Sequence, residues 1–129
     1  TVTGVQTCAL PIYVAYNQGG VWASGRPTRL TAPVDGVYLV SASVAFEPNG
    51  SGVRYLGIAL GGESDAPLFG TSQAAMTAES EPTQLFVSST VRLSTGGSVV
   101  AVVEQGSGRS LTLLGTGQQT ALSLQFLSP

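Results

Sequence analysis

The sequence predicts an all-β fold, a two-sheet antiparallel sandwich of the jelly-roll type that forms one domain. Short apolar runs alternate with clusters of Gly, Pro, Ser and Asn along most of the 129 residues, a pattern typical of strands joined by turns. The turn signals recur at intervals of about 8–12 residues, which favours a sandwich or a barrel. No segment keeps the helical spacing of apolar residues long enough to predict a stable helix.

The strands follow from alternation of apolar side chains. The clearest one covers residues 36–47, where five side chains share one face, namely Tyr38, Val40, Ala42, Val44 and Phe46. Further strands are predicted over residues 53–60, 68–76, 84–93, 99–105, 110–114 and 121–127. The turns and loops between them cover residues 48–52, 61–67, 77–82, 95–98, 106–108 and 115–119.

Two of these strands, 53–60 and 121–127, carry apolar or aromatic residues on both faces. Only one face of a sandwich strand meets the core, so the surplus apolar surface needs cover from a loop or from a partner subunit. Tyr55 and Phe126 are the candidate residues for a subunit interface.

Composition excludes several classes of function. Charged residues make up only 9% of the chain, against about 25% in typical domains. All five basic residues are Arg and they are scattered, so we expect no binding to nucleic acid. No apolar run reaches the ~18 residues of a membrane helix, so we expect no membrane insertion.

The chain offers little for catalysis. It has no His and no Lys, which rules out a Ser-His-Asp triad and a Schiff-base lysine. Two carboxylate pairs remain, in two predicted loops. Solvation of those loops is the simplest interpretation, and the alternatives are a calcium site and a glycosidase-type carboxylate pair. We expect no enzyme activity, no catalytic residue and no cofactor, with calcium as the remaining metal alternative. The candidate ligand-loop residues are Asn49, Glu63, Asp65, Glu79 and Glu81.

The first twelve residues look foreign to the rest. Residues 2–12, VTGVQTCALPI, resemble the codon-by-codon translation of a common sequencing adapter. We therefore expect residues 1–12 to be an artefactual leader and the native domain to cover residues 13–129. Cys8, the single cysteine, falls within this leader.

Residues 27–46, PTRLTAPVDGVYLVSASVAF, resemble the conserved centre of the globular head of complement component 1q and of its bacterial and phage relatives. In that family a strand ends in a Pro, and a Gly-x-Tyr opens the next long strand. Two departures are a truncated first strand and the replacement of a Gly-Asp hairpin by Gly96 and Gly97. The matching residues are Pro33, Gly36, Tyr38, Phe46, Arg54, Gln105 and Gly108.

The resemblance implies a jelly roll related to tumour necrosis factor that forms homotrimers. It also implies a recognition or adhesion module on an extracellular, cell or virion surface, with a cell-surface protein or glycan as partner. The alternative is a structural trimerisation or capping module at a fibre tip, without a ligand of its own. For Arg54, three roles stay open: binding an anionic ligand, pairing with a carboxylate, or capping a loop.

Overall fold

The computed structural model describes residues 6–9, 20–21, 24–25, 28–61, 68–74, 79–115 and 120–129. These residues form β-strands and no helix. The strands are β1 (Gln6–Ala9), β2 (Leu30–Thr31), β3 (Gly36–Phe46), β4 (Arg54–Leu60), β5 (Leu68–Ala74), β6 (Thr83–Leu93), β7 (Ser98–Gln105) and β8 (Ala121–Ser128). Within the described residues, no helix has the length and hydrophobicity that a membrane crossing requires.

The strands form two antiparallel sheets. The larger has the order β1-β7-β4-β5, with β2 also paired to β7, and the smaller has the order β6-β3-β8. In the smaller sheet β3 pairs with β6 over its whole length, from Gly36 opposite Leu93 to Phe46 opposite Thr83. The prediction of an all-β sandwich with two antiparallel sheets is confirmed.

The core lies between the two sheets and follows from alternation. One face of β3 and the facing sides of β4 and β7 supply fully buried side chains, because successive residues of a strand point to opposite sides. They include Tyr38, Val40, Val44, Phe46, Leu56, Ile58, Val99 and Val103.

One predicted strand, 110–114, is wrong. Isolated bridges at Leu111 and Leu113 form there in place of a strand; Leu113 pairs with Phe46, with backbone hydrogen bonds from Glu47 N to Thr112 O and from Leu114 N to Ala45 O. The physical reason is that β8 pairs with the same edge of β3 as far as Ser43. Only residues 44–46 of that edge remain for the segment 110–114. Two short strands, β1 and β2, were not among the predicted ranges, and β1 lies within the segment that resembles an adapter.

Candidate ligand cleft

The residues that carry the family resemblance divide between the two ends of the sandwich. The group at the start of β3, here called the Tyr38 end, comprises Pro33, Gly36 and Tyr38. The group at the end of β3, here called the Arg54 end, comprises Phe46, Arg54, Gln105 and Gly108. The rise of a strand places Tyr38 and Phe46 about 26 Å apart along β3.

Arg54, the first residue of β4, is fully buried at the Arg54 end. Its guanidinium lies over the ring of Phe46, 5.8 Å from the ring centroid. Nη1 donates to Ser51 O at 2.7 Å and to Val53 O at 3.1 Å, and Nη2 donates to Asn49 O at 3.0 Å. Burial lowers the pKa of Arg54 because the charged form loses hydration. Of the three roles considered for Arg54, the structure shows the capping of a loop.

Gln105 is the cross-strand neighbour of Arg54 and is also fully buried. Its Nε2 donates to Arg109 O at 2.5 Å, and its Oε1 accepts from Ser107 N at 2.7 Å. The turn it holds contains Gly108, whose φ of +80° lies in the left-handed region that favours glycine. Gln105 therefore fixes the turn after β7, in the same way that Arg54 fixes the loop before β4.

The two loops meet at Gly52. This residue has φ +75°, and a Cβ there would overlap the backbone of Gly106. Gly106 N donates to Val53 O at 3.0 Å, which joins the second loop to the first. The contact leaves no room for any side chain at Gly52.

A cleft of about 310 Å³ opens above these two loops. Its walls come from the loop after β3, the turn after β7 and the segment before β6. The lining residues are Pro48, Asn49, Gly50, Ser51, Glu79, Ser107 and Arg109. The side chain of Glu79 lies so close to Gly50 that a Cβ there would come within 2.5 Å of Glu79 Cγ.

Two predicted ligand-loop residues, Asn49 and Glu79, are brought together in this cleft. Glu81 is exposed nearby but does not line it. Glu63 and Asp65 lie outside the described residues.

Sequence reasoning missed Ser107 and Arg109 as cleft residues. The available signal was the pairing of two strand ends. If β4 and β7 are neighbours, the loop before Arg54 and the turn after Gln105 must meet at the same end of the sheet.

At the Tyr38 end, Tyr38 is buried and its hydroxyl donates to Val34 O at 2.8 Å. Its ring meets the ring of Phe126 edge to face, with centroids 5.5 Å apart. Gly36 lies beneath Phe126, and a Cβ there would come within 2.5 Å of both Phe126 Cε2 and Ser128 O. Tyr38 and Gly36 therefore position the turn before β3 and the end of β8, and Pro33 is exposed in the turn.

Asp35 ties this turn to the β6–β7 hairpin. Its Oδ1 accepts from Thr95 N at 2.6 Å and from Thr95 Oγ1 at 2.8 Å. These two hydrogen bonds, and more weakly the charge of Arg92, hold the pKa of Asp35 below its usual 3.8.

Tyr55 and Phe126, the candidate interface residues, lie on different sheets. Tyr55 is half-buried on the outer face of the larger sheet, opposite Glu104. Burial, and then the charge of Glu104, raises the pKa of Tyr55. Ala59 and Val100 on this same outer face are fully buried within the single chain, so less of this face is open to a partner subunit than the sequence predicts.

The cleft offers groups that can form hydrogen bonds and ion pairs. It offers an amide, two hydroxyls, backbone groups and one side chain of each charge, and a chain without His supplies no imidazole to activate Ser51 or Ser107. Among the described residues no three His, Cys, Asp or Glu side chains are grouped to hold a metal ion. No protein-family model and no curated protein matches the chain, so function is inferred from the fold and the cleft.

Proposed function

We propose that this protein is a non-catalytic module of the complement-component-1q type, which forms homotrimers on an extracellular or virion surface and recognises a cell-surface partner. The observation that supports it best is the outer face of the smaller sheet. Of the described residues on this face only Arg92 is charged, whereas Phe86 on β6 is 63% exposed.

The outer face is defined by the register of three strands. The outward positions of β3 pair with those of β6 and β8, for example Ser43 with both Phe86 and Ala121. Small and neutral side chains surround the aromatic ring. The members are Val37, Leu39, Ser41, Ser43, Ala45, Gln84, Phe86, Ser88, Thr90, Arg92, Ala121, Ser123 and Gln125.

A surface of this composition favours association. Exposed aromatic side chains surrounded by neutral residues mark protein interaction sites, and packing such a face against another copy desolvates almost no charge. The cleft is built from loops at the Arg54 end, so a trimer packed through the outer face presents three clefts on one assembly.

The first experiment measures the mass of the full chain by light scattering after size exclusion. We expect about three times the monomer mass of 13.1 kDa. Phe86→Lys replaces the exposed aromatic residue of the face by a charge and should give a folded monomer. Val34→Lys is the matched control, because Val34 is also an exposed apolar residue but lies in the turn before β3, and it should leave the trimer intact. A wild-type monomer contradicts the proposal.

Recognition is tested separately from assembly. The wild-type chain is screened on arrays of glycans and of extracellular proteins, and any hit is repeated with Arg109→Ala and Glu79→Gln, which change exposed cleft residues. Loss of the hit in these variants supports recognition through the cleft. A trimer without any hit supports the alternative, a capping module at a fibre tip.

A further inference from the structure

The loop between β3 and β4 contains an asparagine followed by a glycine, Asn49 and Gly50. Asn49 is half-buried, Gly50 is exposed, and both line the cleft. In such a pair the backbone nitrogen of the glycine can attack the side-chain carbonyl carbon of the asparagine, because glycine has no side chain to obstruct the approach and has wide conformational freedom. The wall of the cleft thus holds a nucleophile next to an electrophilic carbon.

The side chain of Asn49 is folded back along the loop. Its Oδ1 accepts a hydrogen bond from Ser51 N at 2.9 Å, so the carboxamide bridges the intervening Gly50. This hydrogen bond keeps Asn49 Cγ on the side of the Gly50 amide and not turned into solvent. A reacting pair that is already oriented in the ground state has less entropy to lose when the new ring closes.

The oxygen that gains negative charge during this attack is already within reach of two donors. Bond formation between Gly50 N and Asn49 Cγ turns Oδ1 into an oxyanion. Ser51 N donates to Oδ1, and Nη2 of the buried Arg54 lies 3.5 Å from it. Fixed donors aimed at the oxygen on which charge develops stabilise the transition state. The guanidinium that caps the loop therefore also favours the reaction.

We propose that Asn49 deamidates spontaneously in the folded protein and that the loop accelerates the reaction. Gly50 N forms a bond to Asn49 Cγ, the bond from Cγ to Nδ2 breaks, and Nδ2 leaves as ammonia with the proton of the Gly50 amide. Water then opens the cyclic imide to aspartate or isoaspartate, and nothing is oxidised or reduced. The inference goes beyond the proposed function, because it concerns a covalent change in the chain and not a ligand.

The product changes the charge of the cleft. Glu79 and Arg109 give the cleft one side chain of each charge, and deamidation adds a carboxylate. In aspartate the new charge lies at the position of Asn49 Oδ1, 3.5 Å from Arg54 Nη2. In isoaspartate it lies at the former main-chain carbonyl group, whose oxygen accepts from Nη2 at 3.0 Å. Both positions lie beside the guanidinium, so we expect the loop to keep its cap while the cleft becomes more acidic.

The test is incubation of the folded full chain at mildly alkaline pH, followed by digestion and mass spectrometry. A free peptide of residues 45–53 in the same buffer is the reference, because it contains the Asn-Gly pair and lacks Arg54. Each conversion raises the mass by about 1 Da. We expect conversion at Asn49 to be about tenfold faster in the folded chain than in the peptide. A folded chain that converts no faster than the peptide overturns the inference.

Two variants and an internal reference assign the reaction to this pair. Gly50→Ala obstructs the attack, and its Cβ meets the exposed side chain of Glu79, which can move aside. We expect several-fold slower conversion in this variant. Gly25→Ala is the matched control, because Gly25 has open space around it, and should convert like the wild type. Asn17, the other asparagine of the chain, precedes Gln18 and should stay intact. Equal rates in the two variants, or an equal mass gain at Asn17, reject the proposal.

Discussion

The two ends of the sandwich are held by different chemistry. The Arg54 end rests on a fully buried cation that binds three backbone carbonyl groups. The Tyr38 end rests on a neutral hydroxyl and on an exposed carboxylate, that of Asp35. A buried charge whose hydrogen bonds are lost is far more costly than a lost neutral bond. The comparison indicates that the end with the cleft is the more rigidly specified of the two.

The difference bears on the recognition role that we propose. At the Arg54 end the held groups belong to loops that line the cleft, whereas at the Tyr38 end they belong to the turn before β3 and to the hairpin between β6 and β7. A preformed loop loses less conformational entropy when a ligand binds. The buried Arg54 and Gln105 therefore act as the scaffold of the cleft.

Arg54→Met should give the largest loss of stability. The substitution keeps the apolar stem against Phe46 but leaves the three carbonyl groups without this donor, and we expect a loss of about 3 kcal/mol or more in the free energy of unfolding. Urea unfolding followed by circular dichroism measures it. Arg92→Met is the control, because Arg92 is exposed, and should change stability by less than about 0.5 kcal/mol. Equal losses in the two variants would show that Arg54 is not the scaffold.

Gly52→Ala tests whether the two loops of the Arg54 end must touch. Alanine adds strain at φ +75° and overlaps the backbone of Gly106, so we expect a loss of about 2–3 kcal/mol. Gly61→Ala is the matched control, since Gly61 has φ +83° with open space around it and should lose only about 1 kcal/mol. Thermal unfolding of both variants measures the difference. If Gly52→Ala is no worse than Gly61→Ala, the contact does not hold the loops together.

Tyr38→Phe probes the Tyr38 end with a smaller expected effect. The ring and its edge-to-face contact with Phe126 remain, and the substitution removes the hydrogen bond to Val34 O at 2.8 Å and the longer one from Val34 N at 3.4 Å. We expect a loss of about 1 kcal/mol in urea unfolding, the usual value of one neutral hydrogen bond. Tyr55→Phe serves as the hydroxyl-loss control on the other sheet. A loss as large as that of Arg54→Met would remove the contrast between the two ends.

The smallest expected effect is the pH dependence of the stability that the hydrogen bonds between Asp35 and Thr95 contribute. The folded state lowers the pKa of Asp35 below 3.8, so this group adds stability that is fully present above that pH and is lost as the pH falls through the lower, folded value. Asp35→Asn should therefore flatten the acid limb of a stability–pH curve measured by urea unfolding. The variant and the wild type should converge at the acid end. An unchanged acid limb in Asp35→Asn would assign the pH dependence to other carboxylates.

Most of the fold could be predicted because alternation of apolar residues reports directly on which face of a strand is buried. The long strand β3 begins at Gly36 as predicted, and Tyr38 and Phe46 point into the core. The segment 110–114 misled this reasoning because Leu111 and Leu113 alternate like a strand while too little free edge is left for them. Alternation describes faces and carries no information about which edge is vacant.

Less of the cleft could be predicted. Asn49 and Glu79 could be identified as loop residues, but their proximity depends on strand order, which the sequence pattern does not encode. Arg54 was open to three interpretations because a guanidinium serves carbonyls, carboxylates and anionic ligands with the same donors. Only the position of the loop carbonyls above it decides between them.

The pairing of β3 with β8 also constrains how the protein is made. The partner of β3 on one side, β8, is synthesised roughly 80 residues after β3 itself. Until then the edge of β3 that later pairs with β8 lacks this partner strand. The nascent chain therefore exposes this strand edge while the residues between β3 and β8 are translated, and this is the stage at which a chaperone that binds extended apolar segments would protect it from aggregation.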